Sequence, residues 1–215
     1  MSGHDRKQFQ VDRIAFYSDA IIAIASTLLI LEFKIPSLGR KSTWAEIMDQ
    51  HSKQLLVPIL GLLLSFYSIS RLWIKHHALF ESLINYNKRL IILNQIFLFL
   101  IMILPVSTSF MLEANNPVFL RYSFYFANLG LCNISFYLLN RTVLHRDHAL
   151  HAPGVPEFQI LGKKDRSLTI GLLFLSSAVL VLYTTNYFWI PFVPVFAIRL
   201  FKNLIQAGKY IYSKF

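Results

Sequence analysis

The chain has one cysteine among its 215 residues, Cys132, so no disulfide bond can form within it. Charge is also scarce, because Asp, Glu, Lys and Arg make up 15% of the sequence and hydrophobic residues 55%. Soluble domains average roughly 45–50% apolar residues. The sequence contains no glycine-rich phosphate loop and no zinc-protease motif. We therefore expect neither an enzyme nor a bound cofactor.

What the chain does contain is a series of apolar runs of about 20 residues, the length at which a helix crosses a bilayer. They predict an all-α polytopic membrane protein, with residues 1–215 forming a single domain of six spans. We place the spans at about 14–35, 55–73, 90–112, 118–139, 168–183 and 187–201. Asp12 is the expected N-cap of the first span. We expect no cleaved signal peptide, because small residues lie within the first run rather than after it.

Basic residues are in excess, with a formal net charge of +10. Such an excess is typical of nucleic-acid binding, but it is also typical of the cytoplasmic loops of membrane proteins, which we favour. With six spans, the two terminal segments and the loops on their side contain fourteen Lys and Arg residues, and the opposite loops contain four. This bias predicts cytoplasmic termini, a cytoplasmic loop at 141–167, membrane lipid as a partner and no nucleic acid.

The first span is more polar than an anchor requires. A carboxylate such as that of Asp19 costs ~2.5–3.5 kcal/mol at the bilayer centre. At about 100° per residue, Ile24, Thr27, Leu28 and Leu31 share one stripe, and Asp19 lies roughly 140° from Ile24. The stripe is either a packing seam between helices or, if copies of this helix surround an axis, a hydrophobic constriction for ions.

Asp19 itself is either an ion or proton site or one member of a buried polar network, and its angular position favours the network. The candidate partners are Arg13, Trp73, His76 and His77. His77 is either structural or responsive to pH, since imidazole titrates near neutrality.

A second group of histidines follows the fourth span. His145, His148 and His151 are spaced three apart in a proline-containing loop. We interpret them as solvated side chains rather than metal ligands, and we predict no metal site.

Two motifs resemble a known family. The order Arg13, Tyr17, Ser18 and Asp19 is similar to the Arg-x-x-x-Phe-Ser-Asp signature of the transmembrane protein 175 family of endolysosomal and bacterial potassium channels, with Tyr17 replacing Phe. The segment from Trp73 to Phe80 resembles the family's Trp-x-x-His-His-x-x-Phe, and Asn94 and Leu104-Pro105 match its third span. The resemblance covers about residues 13–110.

The resemblance implies a homotetramer of six-span subunits, in which the first helix of each copy lines a central pore that conducts potassium. The narrowest point would map to Ile24, further rings to Leu28 and Leu31, and the hydroxyl linked to cation preference to Thr27. The structural network would comprise Arg13, Ser18, Asp19, Trp73 and His77. A chain with one six-span copy is expected in a prokaryotic plasma membrane. The alternative is a secondary transporter or proton-coupled cation carrier.

Overall fold

The computed structural model describes residues 3–32, 52–113, 115–144, 150 and 166–183. This part of the chain is all-helical. Its helices are α1 (Gly3–Leu31), α2 (Ser52–Glu81), α3 (Lys88–Leu112), α4 (Val118–Leu144) and α5 (Ser167–Tyr183). The expected sixth span at 187–201 and the three loop histidines lie outside the described residues, as does most of the expected loop at 141–167.

The first helix begins nine residues earlier than Asp12, at Gly3, so the expectation that Asp12 is an N-cap is wrong. No glycine or proline interrupts the sequence between His4 and Ile35, and the polar N-terminal arm therefore continues the helix. Inside the helix, the Asp12 carboxylate accepts a hydrogen bond from Gln8, one turn earlier, at 3.3 Å.

Helix α2 ends later than the sequence predicts, and α3 begins at a side-chain cap. Helix α2 continues beyond Trp73, the expected end of the second span, to Glu81. Asn87 caps the start of α3, since its side-chain oxygen accepts a hydrogen bond from the Leu90 N–H at 2.7 Å. Within the described residues, Lys7–Leu31 and Lys88–Leu112 are long and apolar enough to cross a membrane, judged by length and composition.

The core is centred on α4, which packs most extensively against α5 and then against α3. Its largest fully buried side chains are aromatic: Phe97, Tyr125, Phe126 and Phe136. Cys132 is buried on the same helix. Helices α4 and α5 approach closely at two glycines, where a Cβ atom on Gly171 would lie 3.0 Å from the Gly130 carbonyl oxygen. Small residues at this crossing allow the two backbones to come together.

Helix α1 lies at the side of this core and packs against α3 and α2. Its packed face carries Val11, Ser18, Ile22, Ala25 and Leu29, all of which are buried. The spacing of three and four residues from Ser18 to Leu29 places these side chains on one face. The packed face therefore fixes which side of α1 points away from the subunit.

Candidate functional site

The aliphatic stripe of α1 lies on the side opposite its packed face. Ile24, Leu28 and Leu31 remain 59%, 42% and 74% exposed in the single subunit. Successive side chains are about 100° apart, so Ile22 and Ala25 on the packed face are turned away from Ile24 by roughly 160° and 100°. The subunit thus presents a row of large apolar side chains outward along the last two turns of α1. We call these three residues the aliphatic ladder.

Thr27 lies within the same exposed stripe. Its hydroxyl donates a hydrogen bond to the Ile24 carbonyl oxygen at 2.8 Å. Because the single hydroxyl proton is used inside the helix, the oxygen lone pairs remain available on the outside. A threonine in this arrangement can act as an acceptor toward a cation or a water molecule, but it adds no formal charge to the surface.

Asp19 is joined to α2 rather than to its own helix. The Trp73 indole Nε1–H donates a hydrogen bond to the Asp19 carboxylate at 2.9 Å. The His77 ring packs beside the Trp73 ring, with centroids 5.7 Å apart. Among the residues that the structure describes, Asp19 bonds to Trp73 and not to Arg13, whose side chain is exposed. This contact connects the polar side of α1 to the C-terminal third of α2.

A second polar group, fully buried, joins three helices. The Asn94 side-chain N–H donates to the Ser18 hydroxyl at 2.9 Å, and the Ser18 hydroxyl donates to the Ile14 carbonyl at 2.8 Å. On its other side, the Asn94 oxygen lies 2.9 Å from His76 Nε2. Since that oxygen can only accept, Nε2 must carry the proton. The hydrogen bonds therefore run in one direction: His76 of α2 donates to Asn94 of α3, and Asn94 donates to Ser18 of α1.

The His76 ring is held by aromatic contacts as well as by its hydrogen bond. It stacks on Phe80 at a centroid distance of 4.2 Å and on Phe97 at 5.4 Å. Its second ring nitrogen, Nδ1, is buried without a hydrogen-bond partner. A neutral imidazole with its proton on Nε2 is the form that suits this site, because a proton on Nδ1 would have no acceptor.

The residues predicted as one network therefore divide into two groups. Asp19, Trp73 and His77 form a partly exposed group, whereas Ser18 belongs to a buried group with Asn94 and His76. From the sequence, His76 was a candidate partner of Asp19, and Asn94 had no predicted role. One feature of the sequence could have assigned a role to Asn94. A single amide in an apolar span raises the free energy of the folded protein unless it is hydrogen-bonded.

Sequence comparisons relate this chain to potassium channels. The sequence profile of the family described as the endosomal/lysosomal potassium channel TMEM175 matches residues 13–105. A potassium channel of Streptomyces collinus is 28% identical over 176 residues, which are 77% of this chain and 83% of that protein. A potassium channel of Chamaesiphon minutus is 32% identical over 107 residues, or 50% of this chain and 52% of that protein.

The fold also matches a solved structure. The crystal structure of a lysosomal potassium-selective channel TMEM175 homolog from Chamaesiphon minutus superposes with a TM-score of 0.65 and 24% identity. The match covers 91% of this chain and 97% of that one. The matched range 13–105 spans the motifs and the contacts described above, from Arg13 to Asn94. Residues 13–105 are thus similar to the TMEM175 family of potassium channels, and the fold of the chain resembles that of a bacterial TMEM175 homolog.

Proposed function

We propose that four copies of this chain form a potassium-permeable cation channel in a prokaryotic plasma membrane, with α1 of each copy lining the pore. In this proposal the subunit has six spans and both termini are cytoplasmic. The aliphatic ladder forms the constriction, and Thr27 provides weak cation selectivity. The observation that carries the proposal is the exposed ladder of Ile24, Leu28 and Leu31 on a helix whose opposite face is buried.

Lipid could also cover an exposed apolar row, so the ladder needs support from the rest of α1. That support is the fixed rotation of the helix. Ser18 bonds to Asn94 of α3, and Asp19 bonds to Trp73 of α2, at two separate angular positions. Buried polar bonds are costly to retain in a membrane helix and generally have a purpose there. Their effect here is to present the ladder in one direction.

In a tetramer this direction would be the symmetry axis. Rings of Ile24, Leu28 and Leu31 would form a narrow apolar throat, and such a throat resists wetting until the helices rotate or separate slightly. An aliphatic ring offers no oxygen atoms to replace the hydration shell of an ion. The outward lone pairs of Thr27 would compensate in part, so discrimination between potassium and sodium would be modest.

The two polar groups act on gating only indirectly. Asp19 with Trp73 and His77, and Ser18 with Asn94 and His76, would hold α1 against its own subunit, and no ion would pass between them. The exposed Arg13 has no described contact with Asp19 and would add its charge at the start of the span. The relatives are named potassium channels and not carriers, so they do not support the alternative that this chain is a secondary transporter.

Ile24→Asn tests the pore assignment. A polar amide in the constriction would let water enter, and we expect basal potassium flux into liposomes to rise about tenfold, which corresponds to a barrier lower by ~1.4 kcal/mol. The matched control is Ile30→Asn, because Ile30 is 61% exposed on the same helix but lies about 120° from Ile24. Equal flux from the two variants would refute the proposal, and the subunit number is checked by native mass spectrometry of the purified protein.

A further inference from the structure

Helix α3 contains a proline in its interior, Pro105. Proline has no backbone N–H, so the Ile101 carbonyl loses its usual donor, and the ring crowds the preceding turn. Membrane helices tolerate such a break where neighbouring helices satisfy the freed backbone groups. The side chains that face this turn from α4 and α2 are therefore informative.

Asn128 of α4 lies against the turn that precedes Pro105. Its two amide atoms face the Leu100 carbonyl oxygen at 3.2 Å and the Leu104 N–H at 3.3 Å. The amide nitrogen must face the carbonyl and the amide oxygen must face the N–H, because the opposite orientation would oppose acceptor to acceptor and donor to donor. In this orientation the oxygen also accepts a bond from the Ser107 hydroxyl at 3.1 Å.

The two backbone groups that Asn128 contacts are the pair that an unbroken helix joins directly. Their bond is the neighbour of the one that Pro105 removes. We propose that Asn128 is a positioning residue that clamps the proline-weakened turn of α3, and thereby holds the shape of the helix on which α1 is anchored. Its effect on conduction rests on the proposed function, whereas its effect on α3 does not.

A second buried group holds α3 on the other side of the proline. The Tyr125 hydroxyl, one turn before Asn128 on α4, lies 2.8 Å from the Ser65 hydroxyl of α2. Ser65 in turn lies 2.9 Å from the Thr108 hydroxyl, which donates to the Leu104 carbonyl at 2.8 Å. Polar side chains of α4 and α2 thus contact α3 on both sides of Pro105, at the Leu100 and Leu104 backbone before it and at the Thr108 side chain after it.

The turn that Asn128 contacts lies between two segments of α3, each of which bonds to another helix. Asn94, which bonds to Ser18 of α1, is on the segment before Pro105, and Thr108 is on the segment after it. A bend at Pro105 would move one segment relative to the other and would shift Asn94 against the α4 core. Because Asn94 carries α1, releasing the clamp would change the position of the aliphatic ladder.

The test compares Asn128→Leu with Asn133→Leu in the purified oligomer. Both residues are buried on α4, but Asn133 donates to the Leu129 carbonyl of its own helix. We expect Asn128→Leu to speed backbone hydrogen exchange in a peptide covering residues 100–108 about tenfold, because the Leu104 N–H and the Leu100 carbonyl lose the bonds that Asn128 makes to them. Asn133→Leu should leave that peptide unchanged, and equal exchange in the two variants would overturn the clamp.

Pro105→Ala provides the second arm, since it restores the missing N–H. In that background Asn128→Leu should accelerate exchange less than threefold, and an undiminished effect would overturn the coupling to the proline. If Asn128→Leu fails to assemble alone but assembles with Pro105→Ala, the clamp is supported. Failure of both while Asn133→Leu assembles would contradict it. Potassium flux unchanged in an Asn128→Leu oligomer with faster exchange would overturn only the link to conduction.

Discussion

The bond between Ser18 and Asn94 can be isolated by comparing two serines of the same helix. Ser18 donates to the Ile14 carbonyl and Ser26 donates to the Ile22 carbonyl, both at 2.8 Å. The difference is that Ser18 also accepts the Asn94 side-chain N–H from α3 at 2.9 Å. Ser18→Ala and Ser26→Ala therefore each remove one equivalent intrahelical bond. Only Ser18→Ala also removes the bond between Asn94 of α3 and α1.

The expected magnitude follows from the burial of both partners, which are fully excluded from solvent. Hydrogen bonds between membrane helices contribute about 0.6 kcal/mol on average and up to ~1.7 kcal/mol. An amide N–H left unpaired in the core costs about 1–3 kcal/mol. We expect Ser18→Ala to lower the free energy of unfolding by ~1.5–4 kcal/mol, since the unpaired amide adds to the lost bond. Ser26→Ala should change it by less than about 0.5 kcal/mol.

The measurement is denaturant-induced unfolding of the purified protein in detergent micelles, with the wild type, both single variants and the double variant. The double variant should show additive losses, because the two sites share no partner. If Ser18→Ala and Ser26→Ala cost the same, the Asn94 bond contributes nothing to holding α1. The rotation of α1 would then not be fixed by this bond.

Two further contacts are tested by the same unfolding measurement. Gly171→Ala should destabilise the protein by ~1–3 kcal/mol, the usual cost of overpacking a core. The new Cβ would lie 2.6 Å from Ile134 Cγ1 and 3.0 Å from the Gly130 carbonyl oxygen. A neutral result would mean that the α4–α5 crossing is looser than described. Trp73→Phe keeps a ring but removes the donor to Asp19, and we expect a loss of ~0.5–1 kcal/mol because both side chains are partly exposed. An unchanged stability of Trp73→Phe would show that this bond does not hold α1.

The sequence was sufficient for the all-helical class, because runs of apolar residues of bilayer length leave few other structures. It was also sufficient to group Ile24, Leu28 and Leu31 on one stripe of α1, since this depends only on the residues per turn. The sequence did not predict that α1 begins at Gly3, because helix propensity in the polar arm competes with the capping signal of Asp12 on nearly equal terms.

The contacts of Asn94 and Asn128 could not be predicted in the same way. Each depends on the heights at which separate helices cross, and these heights result from packing across the whole core. Asn94 meets Ser18 from 76 positions along the chain, and Asn128 meets the backbone of α3 rather than a side chain. Periodicity assigns a residue to a face of its own helix, but it does not say which residue of another helix lies opposite.

The central claim is that the aliphatic ladder faces an aqueous pore. Because Cys132 is the single cysteine, Cys132→Ala gives a thiol-free background into which Ile24→Cys, Leu28→Cys or Ile30→Cys is introduced separately. The direct measurement is the block of potassium flux by silver ions, which react with thiols that water can reach. If the ladder lines the pore, silver ions should block potassium flux in the Ile24→Cys and Leu28→Cys variants and should not block it in Ile30→Cys. Block confined to Ile30→Cys, or absent from all three variants, would contradict it.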